Sequence, residues 1–293
     1  MKKSKKIVIA LLSVCLSVSA LVACQSAEFS PPQGESSLQS SPVQEESIPA
    51  PTPPQSSSGS SSSSNSSSAP TVPTVPNAPT VSKNTQYISC TGDNVRLRSG
   101  AGTNFSVLGT AEKNTRYVVL GKTGEWYKTY YRGKVAYLHA SYAAVFSLPK
   151  SDNSKVEKVL EEGYKQIGVP YVYGAVRLHD GKGNLLGGFT AQKFDCSSLV
   201  QYVFYKGAST VLQVNTRTQV KQGRYVSKAN LQRGDCIYFT NESRQYLSGV
   251  ERIGNVAIYL GNDYILHTAS DYARIEKMSA TRWKFYVEAR RFI

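Results

Sequence analysis

The sequence predicts an α+β protein in which a small all-β unit precedes a larger domain of helices packed on an antiparallel sheet. Three observations predict it. Residues 24–85 are dominated by serine and proline, and residues 86–147 hold short β-rich runs between glycine turns. Residues 152–293 combine amphipathic helical patterns with apolar strand runs. Only the last two stretches have the apolar content that a folded core requires.

The amino terminus has the order of an export signal. A basic start, KKSKK at residues 2–6, leads into an apolar run that is shorter than a membrane-spanning helix. The run ends in LVAC at residues 21–24, which resembles the lipobox of bacterial lipoproteins. That resemblance implies a signal peptide over residues 1–23 and a diacylated Cys24 as the mature amino terminus. We therefore expect a lipid-anchored protein on the cell membrane, facing the cell wall.

The serine- and proline-rich stretch predicts a disordered tether over residues 24–85. It includes SSSGSSSSSNSSS and APTVPTVPNAPT and has almost no large apolar side chains, so burial cannot offset the entropy of ordering it. A flexible chain of roughly 60 residues spans on the order of 45 Å on average. This length suits a domain that reaches from a membrane into a wall.

Net charge and cysteine content limit the classes of partner and cofactor that we expect for this protein. The formal net charge is +14, which favours polyanionic partners. Because the export signal places the chain outside the cytoplasm, we expect wall polymers and anionic lipid, and no nucleic acid. Of the five cysteines, Cys15 falls in the signal peptide and Cys24 at the lipidation site, which leaves Cys90, Cys196 and Cys236. Three are not a disulfide framework, and no His or Cys pair has metal-ligand spacing, so we expect no metal and no cofactor.

The sequence pattern of the first folded unit, residues 86–147, predicts a small β-barrel. Its most specific segments are NVRLRSG at 94–100, EWYK at 125–128 and GKVAYLH at 133–139. Together they resemble a bacterial SH3 domain. The resemblance implies a module that targets wall peptides or glycan, while a purely structural spacer stays open. Trp126 is either a core residue or a ligand platform.

The second folded unit, residues 152–293, starts with a helical pattern that ends before Gly168, and Ser154 with Glu157 predicts its capping box. The segment FDCSSLVQYVFYKG at 194–207 predicts a second helix. Asp195 is a natural N-cap and Gly207 a natural residue just past the end. Cys196 then takes the first helical position, where the helix dipole favours a thiolate. The pattern indicates a candidate nucleophile; a small buried residue is the alternative.

A hairpin near the carboxyl terminus holds further polar candidates. An alternating strand starts at Asn255, turns at Gly261, and returns through His267. Asn255 and His267 lie at similar distances from the turn, so the hairpin can bring them close together on one sheet face.

Four segments in this order resemble the NlpC/p60 family of cysteine peptidases: Pro170–Gly174, Phe194–Val200, Leu231–Phe239 and Val256–His267. The resemblance implies a reduced papain-like fold and a monomeric, metal-free thiol protease. It implies hydrolysis of peptidoglycan stem peptides through a cysteine thioester, commonly between D-γ-glutamate and the next diamino acid. It also implies site roles: Cys196 as nucleophile, His267 as the orienting residue, and Tyr171, Asp195, Ser197, Arg217 and Thr218 around the substrate, with Asp195 helping to bind a substrate amine.

This chain departs from the family pattern at Asn255, where the catalytic histidine usually stands. An amide has no basic lone pair and cannot take the thiol proton. His267 could act as the base, with Asn255 orienting it, or His179 could reach the site. Alternatively, the domain is a catalytically impaired wall-binding lipoprotein. Acyl transfer to another wall nucleophile also stays open.

Overall fold

The computed structural model describes residues 83–293. The predicted signal peptide, Cys24 and all but the last residues of the predicted tether lie outside the described residues. The first described element, β1, begins at Asn84, two residues before the predicted all-β unit, because Tyr87 and Ile88 are fully buried and the whole strand pairs with the last strand of that unit.

Eight strands build the all-β unit. They are β1 (Asn84–Cys90), β2 (Val95–Arg98), β3 (Val107–Ala111), β4 (Arg116–Val118), β5 (Gly121–Thr123), β6 (Trp126–Tyr131), β7 (Lys134–His139) and β8 (Ala143–Pro149), with a 3-10 turn at Ala140–Tyr142. They form two antiparallel sheets, ordered β4-β1-β8 and β3-β2-β7-β6-β5. Leu97, Ala136 and Leu138 are fully buried between them, so the predicted small all-β unit is confirmed.

The larger domain contains four helices and six strands. They are α1 (Ser154–Lys165), α2 (Cys196–Ala208), α3 (Thr216–Gln219), β9 (Arg224–Val226), β10 (Cys236–Phe239), β11 (Asn255–Gly261), β12 (Tyr264–Ala269), β13 (Tyr272–Lys277), α4 (Ala280–Lys284) and β14 (Tyr286–Arg291), with 3-10 turns at Lys228–Asn230 and Gly249–Arg252. The strands form one antiparallel sheet in the order β13-β12-β11-β10-β14-β9, so the predicted α+β class is confirmed. No helix in residues 83–293 is long and apolar enough to cross a bilayer.

Two capping predictions need correction. The N-cap of α1 is Asn153, whose side chain accepts the Lys155 N–H, so the capping box predicted from Ser154 and Glu157 is wrong. Gly207 lies inside α2, which ends one residue later with Ser209 in the left-handed region at φ 52°. A Cβ at Gly207 would lie 2.5 Å from the Val159 backbone. Glycine is therefore needed there for close packing of α1 on α2, rather than for ending the helix.

The sheet is covered on both faces. On one face α1 and α2 bury Val256, Ile258 and Leu266. The other face carries a second apolar cluster that includes Ala257 and Ile265 and packs against α4. Side chains alternate between the faces along each strand, so neighbouring residues of β11 contribute to different cores.

A buried arginine ties the all-β unit to the larger domain. The Arg233 side chain is 5% exposed and pairs with the Glu157 carboxylate at 2.6 Å. It also donates to the hydroxyls of Tyr87 on β1 and Tyr164 on α1, at 3.0 and 2.9 Å. Those hydroxyls share a further hydrogen bond of 2.6 Å, and Phe146 stacks between the rings of Tyr87 and Tyr264.

We expect Arg233→Met to destabilise the full chain by about 3–5 kcal/mol, because it leaves Glu157 half-buried without its charge partner and removes hydrogen bonds to both units. The free energy of unfolding in urea measures the effect. As a control, Lys122→Gln removes an exposed ion pair with Glu125 and should change stability by less than about 1 kcal/mol. Equal effects of the two substitutions would contradict this role for Arg233.

Candidate functional site

Cys196 begins α2 and faces the start of β11. The residue is 8% exposed, and the backbone N–H groups of Val256 and Ser197 favour the thiolate form of its side chain. The helix begins here because Asp195 is the N-cap, in extended conformation, and its carboxylate accepts the Ser198 N–H at 2.8 Å. The Ser198 hydroxyl in turn accepts the Asp195 N–H, which completes a capping box. The predicted cap and the predicted position of the cysteine are both found.

The Asp195 carboxylate is saturated with donors. One oxygen accepts the Ser198 N–H and the Ser197 hydroxyl. The other accepts the Gly174 N–H at 3.2 Å and a guanidinium N–H of Arg177 at 2.7 Å. Asp195 is 4% exposed. Four donors therefore occupy the roughly four acceptor sites of this buried carboxylate.

An open cleft of about 290 Å³ lies beside Cys196. Its lining includes most of the predicted site residues: Tyr171, Asp195, Cys196, Ser197 and Arg217. The other lining residues are Tyr173, Gly174, Arg177, Asn215, Thr216, Asn241, Ser243, Arg244 and Gly254. Three predicted site residues are not among them: Thr218, Asn255 and His267. The backbone and hydroxyl of Thr218 cap α3 together with Asn215.

Sequence reasoning missed Arg177, Asn215, Asn241 and Arg244. They lie on loops that no helical or strand periodicity places, and they reach the cleft only through the tertiary fold. The one available signal was the capping sequence N-T-R-T at 215–218, whose Asn215 starts α3 in the manner of an N-cap.

The thiol of Cys196 is not ionised by its surroundings. Burial and the neighbouring Asp195 carboxylate raise the pKa of Cys196 to about 11, although the N–H groups of Val256 and Ser197 and the charge of Arg177 lower it. The expectation that the helix start favours a thiolate is therefore outweighed at this position. The free-energy cost of desolvating the sulfur anion exceeds the stabilisation that the N–H groups provide.

Asn255 is the first residue of β11, one residue before Val256. It pairs with Phe239 of β10. Its Oδ1 is buried and accepts no hydrogen bond from residues 83–293. The position thus carries a polar acceptor next to the Cys196 contact, but no group that takes up a proton near neutral pH.

His267 lies on the same sheet face as Asn255 but is engaged elsewhere. Ile258 pairs with Leu266, and continuing this register puts His267 opposite Ala257, on the face of Ile265. The His267 Nε2 lies 2.8 Å from Glu276, and one Arg282 nitrogen lies 3.3 Å from both Nδ1 and Nε2. The ring is therefore engaged by Glu276 and Arg282, and no hydrogen bond joins it to Cys196 or Asn255 within the described part of the chain.

Burial and the neighbouring charges determine the protonation states of His267 and Glu276. The ring of His267 is 1% exposed, and burial lowers its pKa, with Arg282 acting in the same direction against the Glu276 carboxylate. Burial opposes the ionisation of Glu276, but its hydrogen bond with His267 and the charge of Arg282 lower its pKa to about 2. The neutral ring then donates from Nε2 to the Glu276 carboxylate.

The other two histidines of the described residues lie outside the cleft. His179 is fully buried, its Nδ1 accepts the Gly181 N–H, and its ring packs on Tyr205. His139 packs edge-on against Trp126 in the all-β unit. Both residues of that pair line a separate open pocket of about 440 Å³ with Arg96, Arg98 and Tyr142, so Trp126 is accessible to a ligand. Residues 83–293 contain no cluster of His, Cys, Asp and Glu arranged to hold a metal.

A cysteine at the first position of a helix, packed on an antiparallel sheet with a cleft at the helix start, defines a domain of the papain-like class. Comparison with known families makes this specific. The model of the NlpC/P60 family matches residues 168–291, and the model of the bacterial SH3 domain matches residues 93–144. The chain therefore contains a bacterial SH3 domain followed by a domain of the NlpC/P60 family.

Individual relatives agree with this assignment. The chain is 30% identical over 152 residues to the gamma-DL-glutamyl hydrolase of Bacillus subtilis (strain 168), an overlap of 52% of this chain and 32% of that protein. It is 30% identical over 120 residues to the peptidoglycan endopeptidase RipB of Mycobacterium tuberculosis, covering 41% of this chain and 46% of RipB. The chain thus spans less than half the length of these two curated relatives.

Among solved structures, the chain resembles an NLP/P60-family protein from Staphylococcus aureus subsp. aureus Mu50, described as similar to lipoprotein. The identity is 26% and the TM-score 0.39, with 55% of this chain and 52% of that chain covered.

The raised thiol pKa gives a direct prediction. We expect the rate at which iodoacetamide alkylates Cys196 to rise roughly tenfold per pH unit between about pH 6 and 10, because only the thiolate reacts. Peptide-resolved mass spectrometry of the full chain separates Cys196 from Cys90 and Cys236, and glutathione is the control for a free thiol. A plateau below about pH 8 would contradict the assigned environment of the sulfur.

Proposed function

We propose that this chain hydrolyses stem peptides of peptidoglycan at the bond between D-γ-glutamate and the following diamino acid, with Cys196 as nucleophile. The observation that carries the proposal is the position of Cys196: it begins α2 and lines an open cleft. The similarity to RipB, a peptidoglycan endopeptidase by name, supports the substrate class.

The chemistry is acyl transfer to water. The Cys196 sulfur attacks the peptide carbonyl, the C–N bond breaks, and the amine leaves with a proton. Water then cleaves the thioester and releases the acyl product. Backbone N–H groups near the start of α2 would stabilise negative charge on the carbonyl oxygen. Tyr171 lines the same cleft, where its hydroxyl can contact the substrate.

Proton transfer is the slow part of this scheme. Asn255 stands where the family pattern has its histidine, and it cannot act as a base. With a pKa of about 11 for Cys196, roughly one molecule in 10⁴ carries the thiolate at pH 7. The proposed enzyme is therefore slow, and His267 supports β12 and β13 through Glu276 and Arg282 rather than exchanging a proton with Cys196.

The contacts of His267 favour a second function, which is the binding of wall peptides without turnover. The His267 ring is engaged by Glu276 and Arg282, and residue 255 is an asparagine, so neither position offers Cys196 a free imidazole. The cleft and the accessible Trp126 pocket would remain as binding surfaces for the wall.

Two substitutions separate these functions. We expect Cys196→Ala to abolish release of soluble fragments from purified peptidoglycan, and Asn255→His to increase release by roughly 10²- to 10⁴-fold by supplying a base. Chromatography and mass spectrometry of the products measure both effects. Activity of Asn255→His with an inactive natural chain would assign the binding function. Failure of both chains to release any fragment would refute the hydrolase.

We further propose that Cys24 carries the lipid anchor, that the chain faces the wall from the outer surface of the membrane, and that it acts as a monomer. The LVAC sequence at residues 21–24 supports the anchor. In cells that express the full chain, Cys24→Ser should move the protein from the membrane fraction to the medium, since a single lipidated residue holds it. Retention in the membrane fraction would contradict this anchor.

A further inference from the structure

The charge balance of the Cys196 cleft bears on which peptides it takes. Three arginines line it, Arg177, Arg217 and Arg244, against a single carboxylate, Asp195. That carboxylate already receives the Arg177 guanidinium at 2.7 Å and three further hydrogen bonds. Even with the Glu251 carboxylate, which contacts Arg217 and Arg244, the arginines exceed the carboxylates by one, so the cleft carries an excess of positive charge.

Arg177 is fixed where it stands. Its Nε donates to the Val214 carbonyl at 2.8 Å, Nη1 donates to the Ala175 carbonyl, and Nη2 donates to both the Ser197 hydroxyl and Asp195. The side chain is 18% exposed. An ammonium group that approached Asp195 would have to displace this held guanidinium or lie beside it, and both cost free energy.

Arg217 and Arg244 share one exposed partner, Glu251, whose backbone carbonyl also accepts the Arg244 Nε–H at 2.9 Å. Both contact one carboxylate oxygen of Glu251, at 3.4 and 3.3 Å, and the Glu251 side chain is 62% exposed. Exposed pairs of this kind contribute little. A substrate carboxylate can therefore replace Glu251, and the planar guanidinium groups suit a carboxylate well.

We infer that the cleft selects acidic peptides whose amino end is blocked by an amide bond, and excludes peptides with a free amino terminus. Arg177 is the residue that determines this selectivity, because it occupies the carboxylate that would otherwise receive the amine. A γ-linked glutamate keeps its α-carboxylate free, which gives Arg217 and Arg244 their partner. The inference rests on the proposed function and names its substrate: stem peptides still joined through their amino end to the wall, rather than released fragments.

Binding, measured without turnover, tests this. The full chain with Cys196→Ala is titrated by calorimetry with two synthetic tripeptides that contain a γ-D-glutamyl-diamino acid unit and differ only in a free or an acetylated amino terminus. We expect the acetylated peptide to bind at least about tenfold more tightly, since the free ammonium meets Arg177 instead of a carboxylate. An acetylated peptide whose glutamate α-carboxylate is a carboxamide should bind several-fold more weakly than the acid.

Further substitutions assign the preference to Arg177. Adding Arg177→Met should reduce or reverse it by freeing Asp195 for an ammonium, whereas Arg177→Lys should keep most of it. Arg224→Gln, an exposed arginine of β9 outside the cleft, is the matched control and should change nothing. If Arg177→Met does not fold, the comparison of the two tripeptides on the parent chain still decides.

The outcomes separate the two proposals. Equal binding of the two tripeptides, or tighter binding of the free amine, would overturn the inference and leave the stem-peptide function in place. Binding of neither tripeptide would remove the stem-peptide function itself and the inference with it.

Discussion

The Asp195 carboxylate is the interaction on which the cleft depends. It starts α2 by capping the Ser198 N–H, and so places Cys196 in the first helical turn. It also holds the loop that carries Gly174 and Arg177 against the helix start. Caps of this type contribute about 0.5–2 kcal/mol to stability. Here the same four hydrogen bonds also fix the position of the nucleophile and one wall of the cleft.

The arrangement has an electrostatic consequence for the sulfur. A buried carboxylate next to Cys196 opposes a second negative charge, and burial opposes it further, so two backbone N–H groups and Arg177 do not suffice to ionise the thiol. In papain-like sites an imidazole takes the proton of the thiol and so stabilises the thiolate. In this chain Asn255 stands at that position, and His267 is committed to Glu276 and Arg282. The helix-on-sheet architecture is therefore present without an imidazole hydrogen-bonded to Cys196 among residues 83–293.

Much of this could be predicted from local sequence rules. The cap at Asp195, the helix that begins at Cys196 and the strand from Asn255 each follow from short-range patterns, and the structure contains all three. The order of the motifs was enough to predict both domains. Where a local rule failed, tertiary packing was the reason: Gly207 serves the contact of α2 with Val159 and not the end of the helix.

The charge partners could not be predicted in this way. Arg177 reaches Asp195 across 18 positions of irregular loop, and Arg233 joins Glu157 and Tyr87 across 76 and 146 positions. The contact of Arg282 with His267 depends on where α4 packs on the sheet. No periodicity in the sequence predicts that packing. The pKa of Cys196 likewise depends on burial by residues distant in the chain.

The most direct test of a peptide-binding nucleophile at this cleft is affinity labelling with a chloromethyl ketone derived from an N-acetylated γ-glutamyl residue. At equal concentration and pH, the account predicts that this reagent modifies Cys196 of the full chain faster than iodoacetamide does, because the cleft positions it beside the sulfur. Peptide-resolved mass spectrometry gives the site and rate. Labelling of Cys196 no faster than by iodoacetamide, or modification at Cys90 or Cys236 instead, would contradict the account.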